Sequence, residues 1–239
     1  MQKDGEPGSA RHGNFINYYS FNPPDRRLSL IPKSMLNDIE KLRKQQHLYA
    51  LDIGCNSGDL TQALHKHLTD EEGGQELHIL GIDLDPVLIS RCHDNNTKPK
   101  HITYNTADIS NSADRTDVIQ AYLHCHGRQK FDIVFCFSVT MWVHLNEGDT
   151  GLRSFLDYAS SIGRFLVVEP QPWKCYRSAI RRTKKLKCRQ YELFDTLGWR
   201  QNVDSDIECY LREHCGMKLL ERFGQTEWER MVCMLESTP

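Results

Sequence analysis

Nowhere do the 239 residues hold a hydrophobic run long enough to cross a membrane. The longest nearly apolar stretches, 131–139 and 164–168, fall far short of the roughly 18 residues that a spanning helix needs. The opening MQKDGEPGSARHGN lacks an apolar core, so a secretory leader is not expected. Neither sign of charge dominates: 30 Lys and Arg against 32 Asp and Glu leave a formal charge of -2, so bulk charge cannot draw the chain to nucleic acid. Any anion site has to be local. There is no Cys-x-x-Cys, and the nine cysteines are an odd number in a chain large enough to fold without staples. Reduced thiols in a cytosolic or nuclear protein are expected. His124, Cys125 and His126 hint at a metal, but adjacent residues rarely converge on one ion, so no metal site is expected.

What remains is ordinary globular text, 39% hydrophobic and 26% charged. Residues 1–12 are polar and read as a flexible tail. From Gly13 the sequence turns aromatic, basic and proline-punctuated (GNFINYYSFNPPDRRLSLIP), and Met35, Leu36, Ile39 and Leu42 are spaced for one face of a helix over 34–45. Short apolar runs at 48–53, 77–82, 101–104, 131–137 and 164–168 then alternate with helical patterns at 59–68, 85–95, 116–124 and 152–161. Such runs, separated by helices, are what a parallel sheet covered on both faces requires. Two further runs, 217–223 and 228–235, joined by Gly224, Gln225 and Thr226, predict an antiparallel hairpin. The fold expected is α/β: one Rossmann-like domain over 13–239, its mostly parallel sheet closed by a C-terminal hairpin.

The most informative text is Leu51-Asp52-Ile53-Gly54-Cys55-Asn56-Ser57-Gly58-Asp59. A buried strand running through two glycines into a helix lets backbone N–H groups approach a ligand closely. Taken alone it is a common strand-to-helix turn. At the next strand end stands Asp83, placed for a carboxylate that accepts from both ribose hydroxyls; Asp108, after the third strand, holds the corresponding place for an adenine amino group. Acidic or amide groups at consecutive strand tips favour an adenosine site. A dinucleotide wants G-x-G-x-x-G with its pyrophosphate on the helix N-terminus, but the middle glycine is missing and Asp59 would repel the phosphates. S-adenosylmethionine carries no phosphate and is the favoured cofactor.

The glycine turn, together with Ser138-Val139-Thr140-Met141-Trp142-Val143-His144-Leu145-Asn146 and Glu169-Pro170-Gln171-Pro172-Trp173, resembles the bicoid-interacting-protein-type RNA methyltransferases. The resemblance runs from Gly13 to the final hairpin. The short chain and Lys174-Cys175-Tyr176-Arg177 are more similar to the RNA 5′-monophosphate branch than to the larger methylphosphate capping enzymes. It implies a seven-strand methyltransferase fold and methyl transfer from S-adenosylmethionine to a 5′-phosphate of small structured RNA, such as histidine tRNA and precursor microRNA, in the cytoplasm. Carried over by position, it implies cofactor contacts from Arg27, Asn56, Asp83, Asp108, Ile109 and Phe137, with Asp52 and Gly54 shaping the pocket floor. A methyltransferase acting on 5′-triphosphate ends, one acting on a small molecule or protein, and a non-catalytic RNA-binding protein are the competing readings.

A phosphate oxygen is already anionic, so its methylation needs alignment, water exclusion and a grip on the phosphate rather than a strong base. Candidates for that grip are Tyr18 and Tyr19, on a segment (13–33) expected to cover the cofactor, then Trp142 and His144 after the fourth strand, and Gln171, Trp173 and Lys174 after the fifth. Trp142 or Trp173 is placed to stack on the terminal base, with core packing the plain alternative for each, nearly as strong for Trp142; His144 reads equally well as a structural histidine. The stretch 174–189 carries eight cations and no acid. Its Arg177, Arg181, Arg182, Lys184 and Lys185 are the expected RNA-backbone contacts. A monomer with RNA as its partner, and no membrane, completes the expectation.

Overall fold

The computed structural model describes residues 11–69, 75–187 and 190–238. Most of the expected tail, residues 1–10, and the end of the basic stretch, 188–189, lie outside them.

Four short helical turns, α1 (Tyr18–Phe21), α2 (Asp25–Leu28), α3 (Met35–Asp38) and α4 (Glu40–Arg43), lead into the sheet. The alternation that follows is β1 (His47–Ile53), α5 (Asp59–Thr69), β2 (Glu76–Asp83), α6 (Pro86–Asn95), β3 (Ile102–Thr106), then α7 (Ser112–Asp114) and α8 (Ala121–Cys125) joined by a wider helical turn. After β4 (Phe131–Phe137) come α9 (Thr140–Ser161), β5 (Gly163–Glu169), α10 (Trp173–Lys185), α11 (Val203–Glu213), β6 (Met217–Gln225) and β7 (Met231–Ser237). The strands form one seven-stranded sheet in the order β3-β2-β1-β4-β5-β7-β6. The first five are parallel; β7 runs antiparallel to both β5 and β6.

Each central strand divides its side chains between two cores. Leu51, Ile53, Val134, Cys136, Leu166 and Val168 pack under α8 to α11. Ala50, Ile133, Phe135 and Val167 pack against the N-terminal turns and α5. All seven residues of β4 are buried, which is why its text is unbroken by polar alternation. The chain leaves β1 for β2 on one side and reaches β4 on the other, so a crevice opens between the carboxyl ends of β1 and β4, where ligands of open α/β sheets bind.

Three expected elements differ. The helix over 34–45 breaks at Ile39, whose backbone is extended (φ -92°, ψ 107°); the Asn37-Asp38 pair before it favours local side-chain bonds over helix continuation, and Ser34 Oγ donates to Asp38 at 2.7 Å. The helix before β5 begins at Thr140 rather than 152, with Gly148 (φ 70°, ψ -171°) as a kink only glycine adopts freely. The last strand starts at Met231, so Trp228 lies in the hairpin tip instead of a strand. That shift leaves Glu227, Trp228, Glu229 and Arg230 in the hairpin tip, against Arg26, Arg27, Lys174 and Ser138 respectively.

Candidate functional site

The loop after β1 packs three left-handed residues into five: Gly54 (φ 72°), Asn56 (φ 52°) and Gly58 (φ 80°). Gly54 and Cys55 donate their amides to the Ile82 carbonyl at 2.8 and 2.9 Å, drawing the loop onto the end of β2. A Cβ at Gly54 would sit 2.6 Å from Val139 Cγ2, so the loop also closes against the end of β4. Asn is among the residues that tolerate this backbone best, and the Asn56 side chain donates to the Phe15 carbonyl at 3.1 Å, tying the turn to the N-terminal segment.

A cleft of about 980 Å³, counting its open mouth, lies above these strand tips. It brings together Tyr18, Tyr19, Arg27, Asp52, Gly54, Asn56, Asp83, Asp108, Ile109, Phe137 and Trp142 of the residues expected from sequence. Asp83 is buried; one oxygen accepts from the Asn56 amide and the other from the Asp85 amide, each at 3.0 Å. Burial pushes its carboxyl up to about 6. Asp52 accepts from Thr61 Oγ1 at 2.6 Å, and burial, reinforced by Asp83, raises it to about 7. Two adjacent carboxylates held at the edge of ionisation suit a ligand that brings hydroxyl donors and positive charge. Asp108 is exposed and folds its own turn, accepting from the Ser110 amide at 2.9 Å.

The N-terminal segment crosses the mouth. Asn14 donates to Asp85 at 2.7 Å, Arg91 donates to the Ile16 carbonyl at 3.1 Å, and Tyr19 donates to the Cys55 carbonyl at 3.3 Å. Burial holds the Tyr19 phenol well above its ordinary value, so it stays a donor. Trp142 meets Phe15 edge-on, ring centroids 5.5 Å apart, and its indole lies where a side chain at Gly13 would be. It is a wall of the cleft braced by this segment.

On the β4–β5 side, Ser138 adopts φ 61°, a conformation costly for a non-glycine residue and a mark of functional strain. Its hydroxyl donates to Glu169 and accepts from Arg27 at 2.8 Å and Arg230 at 2.6 Å. Arg27 also donates to Glu169 at 3.1 and 3.0 Å and to the Tyr18 hydroxyl at 2.7 Å. Arg27 and Glu169 are both fully buried. Burial opposes the charge on Arg27, but Tyr18 and Glu169 outweigh it and hold the guanidinium above its ordinary value. Trp228 from the hairpin tip stacks over both arginines, 5.1 and 5.7 Å from ring centroid to guanidinium carbon. Two cations thus share one carboxylate, and Arg27 Nη1 and Arg230 Nε are buried without a hydrogen-bond partner among the described residues. Such a cluster has donors and charge to spare for an anion.

The remaining expected residues lie off the cleft lining. His144 is fully buried, bonded through Nδ1 to Tyr176 at 3.1 Å and through Nε2 to Asp149 at 2.8 Å; burial lowers its pKa, partly offset by Asp149. Gln171 accepts from Thr140 and from the Met141 amide at 3.0 and 3.1 Å and donates to the Ser138 carbonyl at 2.5 Å, fixing the strained turn. Trp173 stacks on Phe194 (centroids 5.2 Å apart, rings 3° from parallel) under Arg200. Lys174 pairs with Glu229, and Arg26 with Glu227, so the hairpin tip bridges α10 and the N-terminal segment. On α10, Arg177, Arg181, Arg182, Lys184 and Lys185 are exposed along one flank, while Tyr176, Ala179, Ile180 and Thr183 are buried.

The sequence reading missed Ser138, Trp228 and Arg230. Ser138 carried a usable signal, its place directly after the fourth strand; Trp228 and Arg230 carried none, because the hairpin reaches the site only through the antiparallel return of β7.

Comparison with known proteins adds an independent view. The Bicoid-interacting protein 3 model matches residues 131–237, and a general methyltransferase-domain model matches 51–165. The pre-miRNA 5′-monophosphate methyltransferase of Danio rerio is 42% identical, over 98% of this chain and 94% of its own length. The RNA 5′-monophosphate methyltransferase of Bos taurus is likewise 42% identical, over 97% and 82%. Among solved structures, the N-methyltransferase NodS of Bradyrhizobium japonicum, in complex with S-adenosyl-L-homocysteine, superposes with a TM-score of 0.56 at 18% identity, covering 92% of this chain and 91% of its own. DszA carbon methyltransferase gives a TM-score of 0.60 at 17% identity, over 92% and 56%. These structures share the fold expected from the alternation of strands and helices.

Proposed function

We propose that this chain, which belongs to the family of RNA 5′-monophosphate methyltransferases, transfers methyl from S-adenosylmethionine to a 5′-monophosphate gripped between Arg27, Ser138 and Arg230. The observation that carries the reading is that buried two-arginine cluster with unpartnered donors, standing beside a cleft whose opposite wall is lined by carboxylates.

S-adenosylmethionine, when bound, supplies an electrophilic methyl group on a sulfonium. Asp83 would accept from its ribose hydroxyls, Asp108 and Ile109 would border the adenine, and Asn56, Gly54, Asp52 and Phe137 would shape the floor. The raised Asp52 and Asp83 fit a cationic ligand, which repays ionisation of carboxyls that burial holds back. Arg27 stands where the two sites adjoin. Tyr18, whose hydroxyl accepts from Arg27, and Tyr19 help close the segment 13–33 over the cofactor and keep water out. Trp142 supports that cover from below. His144, Gln171 and Trp173 act by positioning: Gln171 holds Ser138 in its strained turn, and His144 anchors the helix start through Tyr176 and Asp149.

No residue has to remove a proton from the acceptor, because a phosphate monoester is anionic at neutral pH. The arginines orient the attacking oxygen and offset the charge that would otherwise repel RNA from Glu169. Selection of a monophosphate over a triphosphate follows from the hairpin tip. Glu227 and Glu229 occupy the half-exposed Arg26 and Lys174, which are then not free to hold further phosphates, and add negative charge in the hairpin tip that carries Arg230. The exposed flank of α10 receives the RNA backbone.

Precursor microRNA, named for the Danio rerio relative, is the first substrate to assay, and histidine tRNA the second. The eight described cysteines form no disulfide with one another, which supports a reducing compartment such as the cytoplasm. Incubation with labelled S-adenosylmethionine and matched RNAs ending in 5′-hydroxyl, 5′-monophosphate or 5′-triphosphate tests the reading. Labelling of the monophosphate end well above the other two is expected. Equal labelling of the hydroxyl end would refute phosphate methylation, and a preference for triphosphate would favour the capping-enzyme alternative.

A further inference from the structure

Far from the cleft, at the opposite ends of β1 and β2, the fold gathers histidines. His47 and Glu76 are register partners in the β1–β2 pair, and His78 stands two residues further along β2, opposite Tyr49. All three side chains therefore project from one face of two adjacent hydrogen-bonded strands. His47 Nδ1 lies 3.2 Å and His78 Nε2 3.6 Å from the same Glu76 oxygen, and all three ligating atoms fall within 4.8 Å of one another. Zinc–nitrogen and zinc–oxygen bonds near 2.1 Å set ligand atoms at a tetrahedral centre about 3.4 Å apart. The 3.2 and 3.6 Å separations bracket that value.

We propose that His47, Glu76 and His78 form a divalent transition-metal site, with zinc as the preferred ion, which ties the starts of β1 and β2 together. Two imidazoles and one carboxylate are a borderline-soft donor set that suits zinc over magnesium or calcium, whose sites are built from oxygens. The platform is rigid: His78 stacks on Tyr49 with ring centroids 5.1 Å apart, and Arg128 donates to the His47 carbonyl at 2.8 Å. A fourth position has candidates at hand. His101 and His126 lie 5.4 and 6.3 Å from His78, ring to ring, and His101 Nδ1 is buried without a hydrogen-bond partner among the described residues. The His124-Cys125-His126 run does not itself converge on an ion; it delivers His126 to the border of this cluster. About six residues of strand, roughly 20 Å, separate His47 from the cleft end of β1, so the ion is structural and plays no part in methyl transfer.

The test is titration of the full chain, free of any polyhistidine tag, with cobalt(II), whose visible bands report tetrahedral binding, followed by displacement with zinc. One cobalt per chain is expected, with no thiolate-to-cobalt charge-transfer band. Affinity should fall at least 10-fold in His78→Ala and in the exposed His47→Ala, and stay unchanged in His93→Ala. Zinc at a hundred times its dissociation constant should lower the unfolded population about 100-fold, and this gain should vanish in both ligand variants. Unchanged S-adenosylmethionine affinity in His47→Ala confirms that the variant is folded. Absence of cobalt binding, a thiolate band, or equal affinity in His47→Ala would overturn the site.

Discussion

On the β1–β2 side of the cleft, each group we assign to the cofactor sits within a few residues of its own strand end: Asp52, Gly54 and Asn56 at β1, Asp83 at β2, Asp108 and Ile109 after β3. On the β5–β7 side, the groups we assign to the phosphate come from everywhere. Arg27 meets Glu169 across 142 residues of chain, and Ser138 meets Arg230 across 92. The cofactor half is a local motif repeated in parallel, and strand order alone sets its members side by side. The acceptor half is a tertiary assembly that exists only once the N-terminal segment and the hairpin tip have docked. A local half can be disabled one contact at a time, whereas an assembled half should couple binding to stability.

The largest effect should follow from breaking the assembly at its buried centre. Arg27→Met leaves Glu169 buried with only Ser138 and a 3.9 Å approach of Arg230. Removing one partner of a buried ion pair costs about 3–5 kcal/mol, which urea unfolding would measure. A loss under ~1 kcal/mol would show the network to be incidental. On the local side, Asp83→Asn should lower S-adenosylmethionine affinity by roughly 1.5–3 kcal/mol, the worth of hydrogen bonds to a charged group, while leaving RNA binding intact; calorimetry and filter binding give the two numbers.

A pH series sharpens the contrast further. Asp52 and Asp83 lose their protons only near about 7 and about 6. A positively charged ligand favours the ionised forms, so binding expels protons and affinity rises with pH up to about 7, by at most about tenfold per unit for each proton released. Titrations in buffers of different ionisation enthalpy would reveal the proton count; affinity falling from pH 6 to 7 would contradict the assignment. The smallest effect belongs to the surface. Replacing Arg181, Arg182, Lys184 and Lys185 with Ala should reduce the slope of log affinity against log salt by about 0.7 per lost contact, without altering cofactor affinity. An unchanged slope would remove α10 from the RNA path.

The same contrast explains what could be read in the sequence. Strands 131–137 and 164–168, the sheet class and the strand-tip carboxylates are written in short windows, where periodicity and glycine spacing report local geometry. The sequence extends β7 back to Trp228 because an aromatic ahead of the apolar run 231–235 looks like strand; only the turn around Thr226, which donates its amide to the Arg230 carbonyl at 2.9 Å, ends the hairpin later. Trp173 and His144 follow diagnostic strands closely, yet their side chains turn into the core beside Phe194 and Tyr176. Position after a strand tip predicts where a residue begins, not where its side chain ends. Arg230 had no local signal, since its partners are supplied by other elements.

The two-part construction of the cleft is tested most directly in one variant, Arg230→Met, assayed in a single preparation for S-adenosylmethionine affinity and for methyl transfer to RNA 5′-monophosphate. Arg230 touches Ser138, Trp228 and Glu169 but none of the carboxylates assigned to the cofactor, Asp52, Asp83 and Asp108. Cofactor affinity should match the unaltered protein, while kcat/KM for RNA falls at least tenfold, the effect of losing about 1.5–3 kcal/mol of charge-assisted hydrogen bonding. Undiminished transfer, or cofactor binding that collapses along with it, would contradict the account.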